Sequence, residues 1–247
     1  MRIGVAQTRR VRGDIASNIA NHKTFVKLAV DYGAHALIFP ELSLTGYHPT
    51  LAKELAIEPN DHRLEDFQAI SKGSGITIGV GAPVKNNSGI SISMVLFHPK
   101  SGTSIYSKKY LHPDEENFFI PGESSQALPT ECRAAIAICY ELSVPQHSAE
   151  AYKNGAEIYI ASVAKSADGV NSSVPRLAAI ARHYKMTVLM SNSVGPCEGF
   201  ESVGKSSIWN SRGLLLRQLE PFIEGLLIVD TTTDEVTEIE WYQPVLE

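Results

Sequence analysis

A cysteine stands where a buried strand runs out. Ala137-Ile138-Cys139-Tyr140-Glu141-Leu142 begins with the end of an apolar run, and the chain turns polar directly after Cys139. Rigid strands in α/β proteins aim the residues at their ends into the opening between loops, so a thiol here is placed to act as a nucleophile. A free cysteine is also a common small buried hydrophobe, and position alone leaves both readings open. An acid stands at a second such place: Glu41 follows the apolar stretch 36–39 and Pro40. It is either a base for chemistry or a plain carboxylate at a strand exit. A third segment, Tyr106-Ser107-Lys108-Lys109, sets lysines directly after a strand, with Asp114, Glu115 and Glu116 following. That is either a solvated ion pair or a cation held for a reaction. A thiol needs such help, because only the thiolate attacks well and an ordinary cysteine has a pKa near ~8.5. A neighbouring cation, or a base that takes the proton during attack, supplies it. Lys165 and Asp168 follow another strand end and either meet a charged substrate group or stay on the surface.

Other chemistries lack their residues. The chain has no HExxH, and its eight histidines are scattered without ligand spacing, so no metal site is expected. Gly79-Val80-Gly81 lacks a third fingerprint glycine, Val84 standing there, and no helix follows. A buried strand in need of close backbone packing is the expectation, not a nucleotide loop. P-loop and GxSxG patterns are also absent. Three cysteines, Cys132, Cys139 and Cys197, in 247 residues are no disulfide framework. The formal net charge of −5 lies wholly in residues 231–247, which hold five acids and no Lys or Arg. The neutral remainder argues against broad attraction to nucleic acid or to an anionic membrane. Apolar runs fall well short of the ~20 residues of a spanning helix. The opening MRIGVAQT reads as a strand and not as a signal peptide, so a cytoplasmic location is expected.

Strand-end groups need strands to hold them. Ile3 and Val5 begin the first. Asp14 is a fitting N-cap for a helix with Ile15, Ile19, Val26 and Val30 at its apolar positions, and Gly33 stops it. Residues 36–39 read as strand, 61–72 as helix and 76–82 as strand. Asn86-Asn87-Ser88-Gly89 and Pro99-Lys100-Ser101-Gly102 are turns that set off the strands SISMVLFH and TSIYS. Strand 134–138, helix 146–154, strand EIYIAS, helix 174–185 and strand TVLMSN follow. A hairpin of 205–209 with 213–219 and a last strand at 225–230 complete the series. Hairpins mixed with strand–helix–strand units predict one α/β domain with helices outside a mixed sheet. The expected division is a body of residues 1–230 and an acidic C-terminal tail, 231–247. VTEIEWY in that tail alternates as a strand does, and Val236, Ile239, Trp241, Tyr242 and Val245 suit packing better than disorder. The tail is therefore expected to pack on the body or on a partner subunit.

A strand-end Glu41, a strand-end Lys108 and a strand-end Cys139, in that order, resemble the nitrilase (carbon–nitrogen hydrolase) superfamily, in its amidase or carbamoylase-like branch. FPELSLTGY is similar to its glutamate motif, SKKYLHPDEENFFIPGE to its lysine motif and AIAICYELSVP to its cysteine motif. RIGVAQT, TIGVGA, NGAEIYIAS and MSNSVG agree with it too, so the likeness runs to about residue 230. The resemblance implies Glu41 as general base, Lys108 as catalytic lysine and Cys139 as nucleophile. Lys108 is preferred to Lys109 because the family's lysine stands two residues before a pair matched here by Tyr110-Leu111. Counting back from Gly122 implies Glu115 as a second glutamate that holds Lys108 and the substrate, with Glu116 the alternative. The backbone N–H of Tyr140, with Lys108, would stabilise the oxyanion. Neither metal nor organic cofactor is implied.

Two departures qualify the branch. His183-Tyr184 stands where the family often has a Glu-Asn pair, and Cys-Tyr-Glu mixes the contexts of amidases and of true nitrilases. The expected activity is that of a thiol hydrolase on a small linear amide or N-carbamoyl compound, releasing ammonia or an amine through a thioester. Nitrile hydrolysis by the same residues and a silent binding protein on the same fold are the alternatives. The implied fold is a single-domain, four-layer α-β-β-α sandwich that pairs as a homodimer or larger homo-oligomer, with 142–155 and 174–185 the contact helices. Loops 42–60, 112–125 and 163–175 are expected to shape the pocket.

Overall fold

Alternation of buried side chains gives the chain its sheets. The computed structural model describes residues 1–122 and 133–241. Cys132 lies outside these residues, as do Tyr242, Val245 and Glu247 of the tail. The first half runs β1 (Arg2–Gln7), α1 (Ile15–Asp31), β2 (Ala36–Ile38), α2 (Ala52–Leu55), α3 (Glu65–Ser74), β3 (Thr77–Asn86), β4 (Gly89–His98) and β5 (Gly102–Ser107). The second half continues with β6 (Ala134–Ile138), α4 (Pro145–Lys153), β7 (Ile158–Val163), α5 (Ala167–Tyr184), β8 (Thr187–Asn192), β9 (Val194–Cys197) and β10 (Phe200–Val203). It ends with β11 (Ser207–Trp209), β12 (Leu215–Gln218), β13 (Glu224–Asp230) and β14 (Val236–Trp241).

The described strands form a seven-stranded sheet of order β14-β13-β1-β2-β3-β4-β5 and a five-stranded sheet of order β12-β11-β8-β7-β6, while β9 and β10 pair by themselves. Parallel pairing joins β1 to β2 and β2 to β3 in the first sheet, and β6, β7 and β8 in the second. Along β13, Leu227 and Val229 face one core and Leu226 and Ile228 another. The first core lies between the sheets: Ile3, Val5, Met94 and Leu96 meet Ile136, Ile138, Ile160 and Leu189. The second lies outside the large sheet, where Ile19, Phe25 and Val26 of α1 and Phe67 of α3 cover Leu37, Ile78 and Val80. A third lies outside the small sheet, where Leu177, Ile180 and Ala181 of α5 and Ala151 of α4 cover Ala137, Tyr159 and Met190. Helix, sheet, sheet, helix is the order of layers, in one domain.

Most local expectations match, with instructive shifts. Asp14 caps α1 by accepting from the Ser17 N–H at 3.0 Å, and Gly33, at φ +72°, follows its end. The helix expected at 174–185 is α5, and it begins at Ala167, not at 174. Pro175 and the Asn171-Ser172-Ser173 run lie inside this helix, and the Ser172 and Ser173 hydroxyls both donate to the Gly169 carbonyl, at 3.0 and 2.7 Å. These residues thus satisfy their polar groups inside the helix instead of ending it. The β9–β10 hairpin lacks an apolar run and does not show in the pattern. Residues 236–241, in the segment set apart as a tail, pair antiparallel with β13 at the edge of the large sheet, and Trp241 meets Phe25 edge-on at 6.1 Å.

Candidate active site

Both sheets end at one cleft. Cys139 follows the last residue of β6 and takes φ +45°, a left-handed conformation that a side chain adopts only at a cost of about 1–3 kcal/mol. Leu42, directly after Glu41, is bent the same way at φ +50°. The sheets are held in register at these exits. Ile138 pairs with Ser162 of β7, and the Ser162 hydroxyl donates across to the Phe39 carbonyl at 2.9 Å, two residues before Glu41. Ser191 of β8 likewise donates to the carbonyls of Ala6 (2.7 Å) and Ile38 (3.1 Å).

Two glycines let the backbones come close enough. A Cβ on Gly81 would lie 2.4 Å from the Pro40 carbonyl oxygen and 2.5 Å from the Leu42 nitrogen. The segment that carries Glu41 therefore crosses β3 in the space that Gly81 leaves. A Cβ on Gly122 would lie 2.4 Å from the Ser107 carbonyl oxygen, and the Gly122 N–H donates to the Lys108 carbonyl at 2.8 Å.

Lys108 is fully buried between two buried carboxylates. Its Nζ donates to Glu41 Oε1 at 2.8 Å and to Glu115 Oε1 at 2.7 Å. Glu115 Oε1 also accepts from the Tyr47 hydroxyl at 3.0 Å, and its Oε2 from the His112 N–H at 2.8 Å. Lys109 points elsewhere and pairs with Glu150 of α4 at 3.0 Å. It is Glu115, not its exposed neighbour Glu116, that reaches Lys108. Glu41 Oε2 is buried and has no hydrogen-bond partner among the described residues. An ammonium has three donors, so Lys108 keeps one beyond the two carboxylates. Tyr140 is the second residue of the 3-10 turn Cys139–Ser143, where a backbone N–H has no acceptor within the turn.

The electrostatics follow from this burial. Burial works against the charge on Lys108, but the Glu41 and Glu115 carboxylates outweigh it and raise its pKa above the usual lysine value. Burial raises the pKa of Glu41; Lys108 opposes that and Glu115 adds to it. The Cys139 thiol is pushed up to about 11, first by burial and then by Glu41, against the lowering pull of Lys165 and Lys108. This corrects the expectation that a neighbouring lysine would enrich the thiolate. Burial of the thiol and the Glu41 charge outweigh both lysines.

Glu141 explains its own place in the cysteine motif. It is buried, and its Oε2 accepts from the Ile138 N–H at 2.7 Å and from the Tyr106 hydroxyl at 2.7 Å. Its Oε1 accepts from the N–H groups of Lys109 (2.6 Å) and Tyr110 (3.3 Å). One carboxylate therefore ties the exit of β5, next to Lys108, to the exit of β6, next to Cys139.

The cleft has a volume of about 450 Å3, and Tyr47, His112, Glu115, Phe118, Cys139, Tyr140, Lys165, Glu198 and Phe200 are among its lining residues. The three loops singled out from the sequence all reach it, and the β9–β10 turn adds Glu198, Gly199 and Phe200, which sequence reasoning missed. Tyr47 was within reach, as the last residue of FPELSLTGY. Asp168 is an exposed residue in the first turn of α5 and does not line the cleft. Among the described residues, no three His, Cys, Asp or Glu side chains are grouped to hold a metal ion.

Known proteins share this arrangement of sheets. A glutamate-to-glutamine mutant of the amidase from Nesterenkonia sp. AN1, solved with the acetamide moiety of fluoroacetamide covalently added at its active-site cysteine, superposes with a TM-score of 0.83 at 25% identity, over 93% of this chain and 89% of that one. A mutant of the same amidase in complex with butyramide matches equally well, at 26% identity over 95% and 92% of the two chains. A nitrilase from Pyrococcus abyssi is 24% identical over 91% of this chain and 84% of its own length. The glutamine-dependent NAD(+) synthetase of Thermotoga maritima is 24% identical over 99% of this chain, which spans only 44% of that protein. The carbon–nitrogen hydrolase family model matches residues 2–240. With its two facing sheets, four layers and a family match over residues 2–240, the chain belongs to the carbon–nitrogen hydrolase family, within the nitrilase superfamily.

Proposed function

We propose that the chain hydrolyses a small linear amide or N-carbamoyl compound through a thioester on Cys139. The observation that carries this reading is the buried Lys108, held by Glu41 and Glu115 beside the cleft that Cys139 lines. The Sγ–H proton passes to Glu41 Oε2 as the S–C bond forms and the carbonyl electron pair moves onto oxygen. That oxyanion meets the Tyr140 N–H and the spare Lys108 donor, and loss of one such donor costs roughly 10²–10³ in rate in other enzymes. Collapse breaks the C–N bond, and Glu41 returns the proton to the departing ammonia or amine. Water then gives a proton to Glu41, attacks the thioester carbon and releases the acid, while the sulfur leaves and is reprotonated. Concerted removal of the proton suits a thiol with a pKa of about 11, because very little thiolate stands ready at neutral pH. Glu115 acts by holding Lys108 in place.

The cysteine adduct of the Nesterenkonia amidase supports the nucleophile, and that amidase and an (R)-stereoselective amidase from Pseudomonas sp, 26% identical over 65% of this chain, support amides as substrates. The Pyrococcus nitrilase favours a second reading, in which the first electrophile is a nitrile carbon. Ammonia release from matched amides and nitriles, in the native chain and in Cys139→Ala, separates the readings: hydrolysis of amides but not nitriles supports the first, and activity in Cys139→Ala refutes both.

The same reading includes a cytoplasmic homo-oligomer. Self-association is assigned to α4 and α5, where Leu142, Pro145, Ala179, Ile180 and Tyr184 line an outward groove and Tyr152 is more than half exposed. The body and the segment after residue 230 act as one unit in this reading, β14 extending the large sheet.

A further inference from the structure

Lys165 lies two residues past Val163, the end of β7, the strand next to the one that delivers Cys139. Its backbone is fixed on both sides. The N–H donates to Asn192 Oδ1 at 2.9 Å, and the carbonyl accepts from Asn192 Nδ2 at 3.1 Å, the Ser202 hydroxyl at 3.1 Å and the Val203 N–H at 3.2 Å. The stem crosses the first turn of α5, where a Cβ on Gly169 would lie 3.2 Å from Lys165 Cβ and 3.4 Å from Cγ. The head is treated differently from the stem. Lys108 and Lys109 each contact a carboxylate, whereas the half-buried Lys165 ammonium has no hydrogen-bond or ion-pair partner among the described residues.

The acids that line the cleft make no contact with Lys165, and buried Glu41 feels its charge without a hydrogen bond or ion pair to it. Glu198 Oε2 accepts from both the Thr50 hydroxyl and its N–H, at 2.8 and 3.2 Å. Glu115 serves Lys108, Tyr47 and His112, and Asp114 is 89% exposed. Lys165 lines the same cleft as Cys139, and its charge acts on the Cys139 thiol more strongly than that of Lys108. A pinned backbone, a supported stem and an uncommitted ammonium beside the nucleophile make a site for an anion. Carboxylate on ammonium is the charge-assisted pairing such a site favours.

We propose that Lys165 is a specificity-determining residue that pairs with a carboxylate on the substrate, so that the preferred substrate is a carboxylic acid bearing the scissile amide or carbamoyl group. This rests on the hydrolase reading of the same cleft. The test compares kcat/KM for succinamate with that for butyramide, neutral and of equal chain length, in the native chain, Lys165→Met and Lys165→Arg. The ratio should favour the acid by about 10- to 100-fold in the native chain, fall toward one in Lys165→Met and largely return in Lys165→Arg. A general loss of activity cancels in the ratio. An equal ratio in the native chain and Lys165→Met overturns the proposal. If neither compound is hydrolysed, the hydrolase reading is what fails, and the subsite is read by calorimetric titration of the Cys139→Ala chain. Tighter binding of succinamate than of butyramide there, abolished by adding Lys165→Met, upholds the anion site; equal or absent binding overturns it.

Discussion

A half-buried thiol with a pKa of about 11 and a carboxylate with one uncommitted oxygen divide the work of activation unequally. The sulfur is protonated at rest, so reactivity without a bound amide should track the small thiolate fraction. That fraction rises about tenfold per pH unit below the pKa. Alkylation of Cys139 by iodoacetamide, followed by peptide mass spectrometry, should therefore climb from pH 7 to 9.5 without levelling off. A plateau below pH 8 would mean a standing thiolate pair and would contradict the assigned role of Glu41. Cys139, Glu41, Lys108 and Glu115 were all nameable from their motifs. The sign of the thiol's shift was not, because it is set first by burial and then by the Glu41 charge, and only the folded geometry shows how these outweigh the two lysines.

Strand exits carry these groups, and the contacts that set the exits are made by residues without chemistry of their own. Gly81→Ala should displace the segment bearing Glu41, since the added carbon would meet backbone atoms of Pro40 and Leu42 that cannot swing aside. We expect a stability loss of about 1–3 kcal/mol in urea unfolding, together with a fall in kcat much larger than any change in KM. Native turnover in that variant would refute the account of the crossing. Glu141→Gln sets an amide among donors that now face carboxylate oxygens, leaving at least one buried N–H or O–H unpaired. A loss of about 1–3 kcal/mol is expected in the same assay, again with the larger effect in kcat. Indifference to the change would show that the two exits are held by other means. From sequence alone Glu141 reads only as an odd letter in the cysteine motif. Its four donors come from β5, the segment after it and β6, and no local pattern announces such a meeting. The strands themselves were legible because their apolar runs are local. The β9–β10 turn was not, since Gly195, Pro196 and Glu198 break any alternation.

Four layers bring the second half of the chain over the first, and the acidic charge ends up at one edge. β14 carries Glu238 and Glu240 on the margin of the large sheet, away from the cleft-lining residues, so net charge says nothing about the substrate. On the opposite outer face, α4 and α5 leave Tyr152 and its ring neighbour Tyr184, with centroids 5.2 Å apart, beside the groove assigned to self-association. Sedimentation velocity should show a dimer or larger species that Tyr152→Glu, at an exposed position, shifts toward monomer by burying a charge in the contact. A monomeric native chain would overturn that assignment while leaving the chemistry untouched.

The claim on which the rest depends is that a covalent bond to Cys139 stands between amide and acid. Ammonia release from succinamate and butyramide, measured beside the intact mass of the quenched protein, tests it most directly. The native chain should release ammonia and carry an acyl group at Cys139, and Cys139→Ala should do neither. Ammonia release at a comparable rate from Cys139→Ala would contradict the mechanism outright.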